Sequence, residues 1–308
     1  MQDVVRASQT QFNVRIGASP IGWCNDDLPS LGTDTTLETM LSDGQKIGYE
    51  GFELGGRFPR NRATLAGILE QYRLRLVSGW YSGRLAERSV EQEWQAVSSH
   101  ADLLVDLGCD VLVYGEVADS VQGRIEVPLS MRPRFDSANA FAGYCARLSD
   151  FSTRLADRGL RLAYHHHMGA YVESPDEIDR LMAGTCDDVG LAFDTGHIRF
   201  GGGDPLEMLR RHIDRVRHVH CKDVRAPILA EARNRDWSFL TAVLQGAFTV
   251  PGDGDIDFAP LIDVLREHGY QGWLVVEAEQ DPAVAPSYTY ADKGFRTLRL
   301  IVDAVAHC

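Results

Sequence analysis

The 308-residue sequence lacks the features that mark several protein classes. Its six cysteines, Cys24, Cys109, Cys145, Cys186, Cys221 and Cys308, are scattered without C-x-x-C spacing. That pattern predicts neither a disulfide framework nor a zinc ribbon, but reduced cytosolic thiols. No window approaches the roughly 18 apolar residues of a membrane helix, and the start Met-Gln-Asp-Val-Val-Arg lacks the pattern of a signal peptide. Lys and Arg number 31 against 44 Asp and Glu, for a net charge of −13. No cationic run is dense enough to track a phosphate backbone, which argues against nucleic acid as a partner. The expectation is a soluble cytoplasmic protein with neither nucleic acid nor membrane among its partners. No Gly-x-Gly-x-x-Gly follows the first strand, which disfavours a doubly wound nucleotide-binding sheet. A low-complexity linker and an internal repeat are missing too, and Gly201-Gly202-Gly203 is too short to mark a domain boundary.

What is present is ordinary core material: 44% hydrophobic and 24% charged residues, which excludes a disordered chain. Eight apolar, β-rich runs occur at 14–18, 51–54, 74–79, 110–114, 162–167, 189–194, 216–220 and 273–278. Between them, segments such as 36–47, 89–107, 137–158, 175–183, 205–214 and 258–268 return Leu, Ile, Val or Ala at helical spacing. Pro175 and Pro205 follow Ser174 and Asp204, good N-caps, at first-turn positions. Eightfold strand–helix alternation predicts one (β/α)8 TIM barrel over 1–308, with 1–13 as an N-terminal extension. Irregular insertions at 115–137 and 224–257 follow the fourth and seventh strands, where a barrel builds its active site, and are candidate lids.

The chemistry-bearing residues stand at strand tips. The fifth strand runs Leu162-Ala-Tyr-His-His-His-Met168, and alternation puts His165 and His167 on one face and His166 on the other. Such a cluster is either a hydrogen-bonded polar strand end or a metal and acid–base site. The sixth strand ends at Asp194 with His197 three residues on; Asp194 could instead cap the next turn. The seventh places His218 and His220 on one face, followed by Lys222 and Asp223. The eighth brings Glu277 out of Leu-Val-Val, a carboxylate costly to bury without a cation beside it. Taken together, His165, Asp194, His220 and Glu277 form a nitrogen–oxygen donor set suited to a divalent transition metal, whose charge two carboxylates neutralise.

These residues carry a resemblance. Asp-x-x-His on the sixth strand, His-x-Lys-Asp on the seventh and a Glu closing the eighth resemble the xylose-isomerase-like sugar isomerase, epimerase and dehydratase barrels. Ser19-Pro-Ile-Gly-Trp23-Cys-Asn25-Asp26-Asp27, Glu53-Leu-Gly, Tyr164-His-His-His-Met-Gly, Phe248-Thr-Val-Pro-Gly-Asp-Gly-Asp-Ile-Asp-Phe258 and Val275-Val-Glu-Ala-Glu-Gln-Asp-Pro282 are similar to the inosose dehydratases of inositol catabolism. The likeness runs from about residue 14 to 305. It implies metal-dependent dehydration of scyllo-inosose (2-keto-myo-inositol) to a trihydroxycyclohexane-1,2-dione, usually with Mn2+ or Co2+, and it admits glutathione as a cofactor. The family's metal ligands fall on Asp194, His220 and Glu277, with His165 standing where many relatives carry Glu. The resemblance points to His197 first for proton transfer, with His167 and Lys222 in reserve.

Glu279 shares the inward face with Glu277 if the strand stays regular, and would hold substrate hydroxyls or orient a ligand. Trp23, Asn25 and Asp26 offer an apolar wall and polar contacts to a ring, or else a tight turn. Arg225 and Arg233 read as a solvated face sooner than as lid residues, and Pro251-Gly-Asp-Gly-Asp as turns sooner than as a flap. The partner implied is a small cyclic keto-polyol, and a homo-oligomer is compatible with the sequence. Two other functions stay open: a keto-sugar or inosose isomerase or epimerase on the same barrel, and a non-catalytic sugar-binding barrel.

Overall fold

In the computed structural model, which describes residues 12–306, the alternating runs close into a barrel. Its staves are β1 (Val14–Ala18), β2 (Gly51–Leu54), β3 (Arg75–Gly83), β4 (Val111–Glu116), β5 (Arg161–His165), β6 (Val189–Asp194), β7 (Val216–Cys221) and, beyond a small β8–β9 hairpin (Asp223–Val224 and Phe248–Thr249), β10 (Gly272–Val276). All staves are parallel, and β1 pairs with both β2 and β10, which leaves no edge. The N-terminal extension lies outside the described residues except for residues 12 and 13, and Phe12 already packs on the core. Cys308 also lies outside them. The remaining five cysteines are free thiols.

Helices α1 (Leu37–Ile47), α2 (Arg62–Tyr72), α3 (Val90–Asp106), α4 (Ala138–Asp157), α5 (Pro175–Gly184), α6 (Thr195–Phe200), α7 (Pro205–His212), α8 (Ala226–Asn234), α9 (Phe239–Leu244), α10 (Ala259–Glu267) and α11 (Ser287–Ala306) fill the connections. Their starts are written locally: Ser89 with Gln92 and Ser174 with Glu177 close capping boxes, and Asp204 accepts from the Glu207 amide. Apolar faces of helices and strands share one core that includes Ile16, Phe52, Leu112, Leu162, Leu191 and Leu274. No described helix is long and apolar enough to cross a membrane.

The barrel interior is filled differently. Val77, Trp273 and Val275 form one small cluster, and Val111, Val113, Ala163 and Ala192 another. A Cβ on Gly51 would lie 2.8 Å from Val77 and 3.0 Å from Trp273, so only glycine lets the indole seat there. Trp273 thereby plugs the N-terminal end, with the Arg15 guanidinium 4.2 Å above its ring, and leaves the C-terminal end as the one to carry a site.

Strand ends differ from expectation where side chains leave the ladder. β5 stops at His165, placing His166 and His167 in the following turn, whereas β3 continues to Gly83. Glu277 and Glu279 lie beyond the last stave, yet both are buried. Of the two insertions, 224–257 folds into the hairpin, α8 and α9 around an apolar cluster of Val224, Leu229, Phe239, Leu240, Val243 and Phe248. The 115–137 insertion docks on it, where the Leu129 and Ser130 amides donate to Trp237 O (3.3 Å) and Asp236 Oδ1 (3.0 Å).

Candidate active site

A cavity of about 430 Å³ opens at the C-terminal end of the barrel. Its floor is His165, His167, His220, Glu53, Glu277 and Glu279. Its wall comes from Pro20, Ile21, Leu54, Trp80 and Val113, with Asp26, Asp27, Ser82 and Arg60 as polar groups.

Four strand ends, those of β5, β6, β7 and β10, deliver the polar groups at and beneath the floor. Asp194 performs both roles the sequence allows it: Oδ1 accepts the His197 amide (2.8 Å) and caps α6, while Oδ2 faces inward. There it stands 3.3 Å from His165 Nε2 and 3.4 Å from His220 Nδ1. His220 Nδ1 is also 3.0 Å from Glu277 Oε2. Donors bound at about 2.0–2.2 Å to one ion stand at roughly such spacings from each other. His220 Nδ1 thus stands between two carboxylates, the position of a donor that would share an ion with them.

The four expected ligands are therefore brought together, but as a chain of neighbours. His165, Asp194, Glu277 and also His197 offer atoms within 4.8 Å of one another, and His220 joins through Asp194 and Glu277. His220 suits a catalytic ion better than His197, because it faces the cavity where an open position is needed. With carboxylates at Glu53, Asp194 and Glu277 near the single ammonium of Lys222, the pocket favours a divalent cation.

Lys222 corrects an expectation. Fully buried, its Nζ lies 2.6 Å from Glu277 Oε1, 2.9 Å from Glu279 Oε2 and 3.5 Å from Asp194 Oδ2. Burial would lower its pKa, but these carboxylates outweigh burial and hold it well above its ordinary value. In this arrangement it stands as a countercharge to the carboxylates. Gly196 makes room for it, since a Cβ there would sit 2.6 Å from Lys222 Cγ. Thr195 Oγ1 clamps its backbone, accepting from the Lys222 amide (3.0 Å) and donating to Lys222 O (2.6 Å).

His197 is likewise displaced from its expected role. Its Nε2 accepts from Lys222 Nζ (2.9 Å), and Phe239 and Phe248 of the second insertion pack on its ring. It is wholly buried and stands behind His167, ring centroids 4.3 Å apart, without lining the cavity itself. Burial and Lys222 hold it neutral, well below an ordinary imidazole.

His167 and Glu279 face the cavity instead, with His167 Nε2 4.0 Å from Glu279 Oε1. His167 Nδ1 contacts Met168 O at 2.8 Å, and a carbonyl only accepts, so the hydrogen is on Nδ1 and Nε2 carries the lone pair. Burial, then His165 and Lys222, push His167 down to about 3. Burial pushes Glu279 up to about 8, even against Lys222. Glu277 is held at about 2, because His220 and Lys222 outweigh its burial.

The first-strand motif also differs from expectation. Trp23 is no cavity wall: it is buried against Phe52 with its Nε1 donating to Asp43 Oδ2 (3.1 Å). Asn25 accepts the Asp27 and Leu28 amides through Oδ1 (2.8 and 2.9 Å), which makes it a turn residue. Only Asp26 of the three lines the cavity, and its Oδ2 accepts the Gly56 amide (2.9 Å). The wall is supplied by Trp80, whose ring stands edge-on to His165 and His167 at 5.3 and 6.1 Å.

The sequence reading names neither Trp80 nor Arg60, and Asp27 and Glu53 only within motifs. A carboxylate inside Gly-Phe-Glu-Leu is the same signal that marks Glu277, and it would have found Glu53. Arg225 is half-buried and bonds Gly246 O, Phe248 O, Thr249 and Asp253, whereas Arg233 stays exposed, as a solvated face would, while bonding Arg199 O and Phe200 O. The Pro251-Gly-Asp-Gly-Asp stretch is a turn cradled by Asp223, which accepts the Gly252, Gly254 and Ile256 amides. Neither these arginines nor the turn line the cavity.

Comparison with known proteins agrees with this architecture. The chain is 49% identical over 293 residues, 95% of itself and 90% of the relative, to the "Rhizopine catabolism protein MocC" of Rhizobium meliloti. It is 42% identical over 290 residues, 93% of itself and 96% of the relative, to the "Inosose dehydratase" of Geobacillus thermodenitrificans. Among solved structures, the "Xylose isomerase domain protein from Planctomyces limnophilus" superposes with a TM-score of 0.68 at 17% identity, covering 97% of this chain and 100% of that one. Residues 41–301 match the family described as "Xylose isomerase-like TIM barrel". With its closed eight-stave barrel and a donor cluster at the C-terminal end, the chain belongs to the xylose isomerase-like TIM barrel family.

Proposed function

We propose that the protein dehydrates an inosose, scyllo-inosose (2-keto-myo-inositol), to a trihydroxycyclohexane-1,2-dione. The observation that carries this reading is the convergence of His165, Asp194, His220 and Glu277 beneath a cavity large enough for a six-membered polyol, in a chain whose relatives include proteins named inosose dehydratase. A divalent ion held there supplies Lewis acidity to a ketone oxygen. Mixed imidazole and carboxylate donors suit Mn2+ or Co2+.

The chain's own groups then divide the proton work. His167 Nε2, with its lone pair free and its other nitrogen tied to Met168 O, takes the α-proton. The electron pair left on that carbon expels the β-hydroxyl, and Glu279, protonated at neutral pH, delivers the proton with which it leaves as water. Lys222 stays charged throughout and keeps Glu279 and Glu277 in place. His197 holds Lys222 from behind. Trp80 excludes water from one wall, and Asp26, Asp27 and Arg60 meet the ring hydroxyls. Arg60 is, imidazoles aside, the only cationic side chain among the described residues lining the cavity.

Incubation of the metal-loaded protein with scyllo-inosose, with and without glutathione, tests this. A product lighter by one water with dione absorbance is expected. An isobaric product would replace the reading with an isomerase, and no turnover across a panel of keto-polyols would leave a binding protein.

A further inference from the structure

We propose that Glu53 is a positioning residue that sets the tautomer of His220 and so prepares its Nδ1 as a metal donor. The proposal rests on the metal centre proposed above. One oxygen of Glu53, Oε1, has three partners: Ser78 Oγ at 2.7 Å, His218 Nε2 at 2.8 Å and His220 Nε2 at 3.1 Å. An ionised carboxylate can only accept, so each partner must turn a hydrogen toward it. Both imidazoles therefore carry hydrogen on Nε2. An ion takes the place of any proton on Nδ1, and with hydrogen held on Nε2 the lone pair that binds it is then the one on Nδ1.

The consequence differs for the two rings. His220 Nδ1 stands 3.0 Å from Glu277 Oε2 and 3.4 Å from Asp194 Oδ2, among the donors of the centre. His218 lies further down β7, is buried, and braces the same Glu53 oxygen. Ser78, from β3, braces it from the other side. Three staves, β2, β3 and β7, thus fix one carboxylate behind one ring. β2 and β7 are not neighbours in the barrel, and the Glu53–His220 contact crosses its interior. An anionic partner on the far nitrogen orients a ligating imidazole and raises its basicity; losing such a partner typically weakens metal binding about 10–100-fold.

Two measurements test this. Chelator competition with Zn2+ should show Glu53→Gln binding about 10–100-fold more weakly than wild type, with the same stoichiometry. Equal affinity in the two proteins would overturn the proposal while sparing the metal centre. Failure of wild type to bind a stoichiometric ion would overturn the centre and the proposal with it. The second measurement needs no variant, so it decides even if Glu53→Gln does not fold. Nitrogen-15 NMR of histidine-labelled, Zn2+-loaded wild type should show His220 with hydrogen on Nε2 and a metal-shifted Nδ1. Hydrogen on Nδ1, or a metal-shifted Nε2, would refute it.

Discussion

The two halves of the barrel mouth are built on different terms. β5, β6, β7 and the turn after β10 contribute His165, His167, Asp194, His220, Lys222, Glu277 and Glu279, a contiguous buried polar network. β1 to β4 contribute chiefly Pro20, Ile21, Leu54, Trp80 and Val113, a wall with a few polar groups at its rim. Glu53 is the exception, a wall-side carboxylate that reaches across to the charged half. Charge buried in an apolar barrel must be paired, so the charged half is interlocked and intolerant of change. The wall half sets shape and contacts, and each of its residues acts more independently.

That contrast can be broken by mutation. The largest effects belong to the charged half: chelation, or Glu277→Ala, should abolish turnover, and Mn2+ or Co2+ should restore the chelated wild type but not the variant. Turnover that survives a chelator which strips the ion, verified by elemental analysis, would remove the metal from the chemistry. Next come Glu279→Gln and His167→Ala, each expected to cut kcat about 100- to 10,000-fold while keeping the metal. Metal content and kcat read together check this; near-normal kcat in either would return the proton work to another group.

On the wall side, Arg60→Ala should raise KM about 10–100-fold, the worth of a hydrogen bond to a charged group, with kcat nearly kept. A kcat-only defect would mean that the wall takes part in the chemistry and the two halves are not distinct. The smallest effect is expected from Trp23→Phe, which removes the bond to Asp43 and about 1 kcal/mol of stability. Thermal unfolding should register that loss while KM stays put; a changed KM would place Trp23 back at the substrate.

Much of the charged half was legible because its signal is local. Three imidazoles after Leu-Ala-Tyr, or a Glu after Leu-Val-Val, are costly in a strand and so announce themselves whatever surrounds them. The eight-stave barrel was legible for a similar reason, since strand and helix periodicities and the Ser and Asp caps are written over a few residues. By itself the sequence determined the order of elements and the groups that the sixth, seventh and eighth staves carry to one end.

Which nitrogen or oxygen of each group faces which partner was decided only by tertiary structure. The sequence offers Trp23 for the wall, but the turn after β1 sends its indole toward Asp43, and the pleat of β3 puts Trp80 over the cavity instead. The sequence ranks His197 ahead of His167 for moving a proton, but Lys222, Phe239 and Phe248 pack the first behind the second. These outcomes depend on contacts between residues tens to hundreds of positions apart, such as the Oε1 that Glu53 presents to His220. Periodicity and propensity act over a few residues, and they carry no term for such contacts.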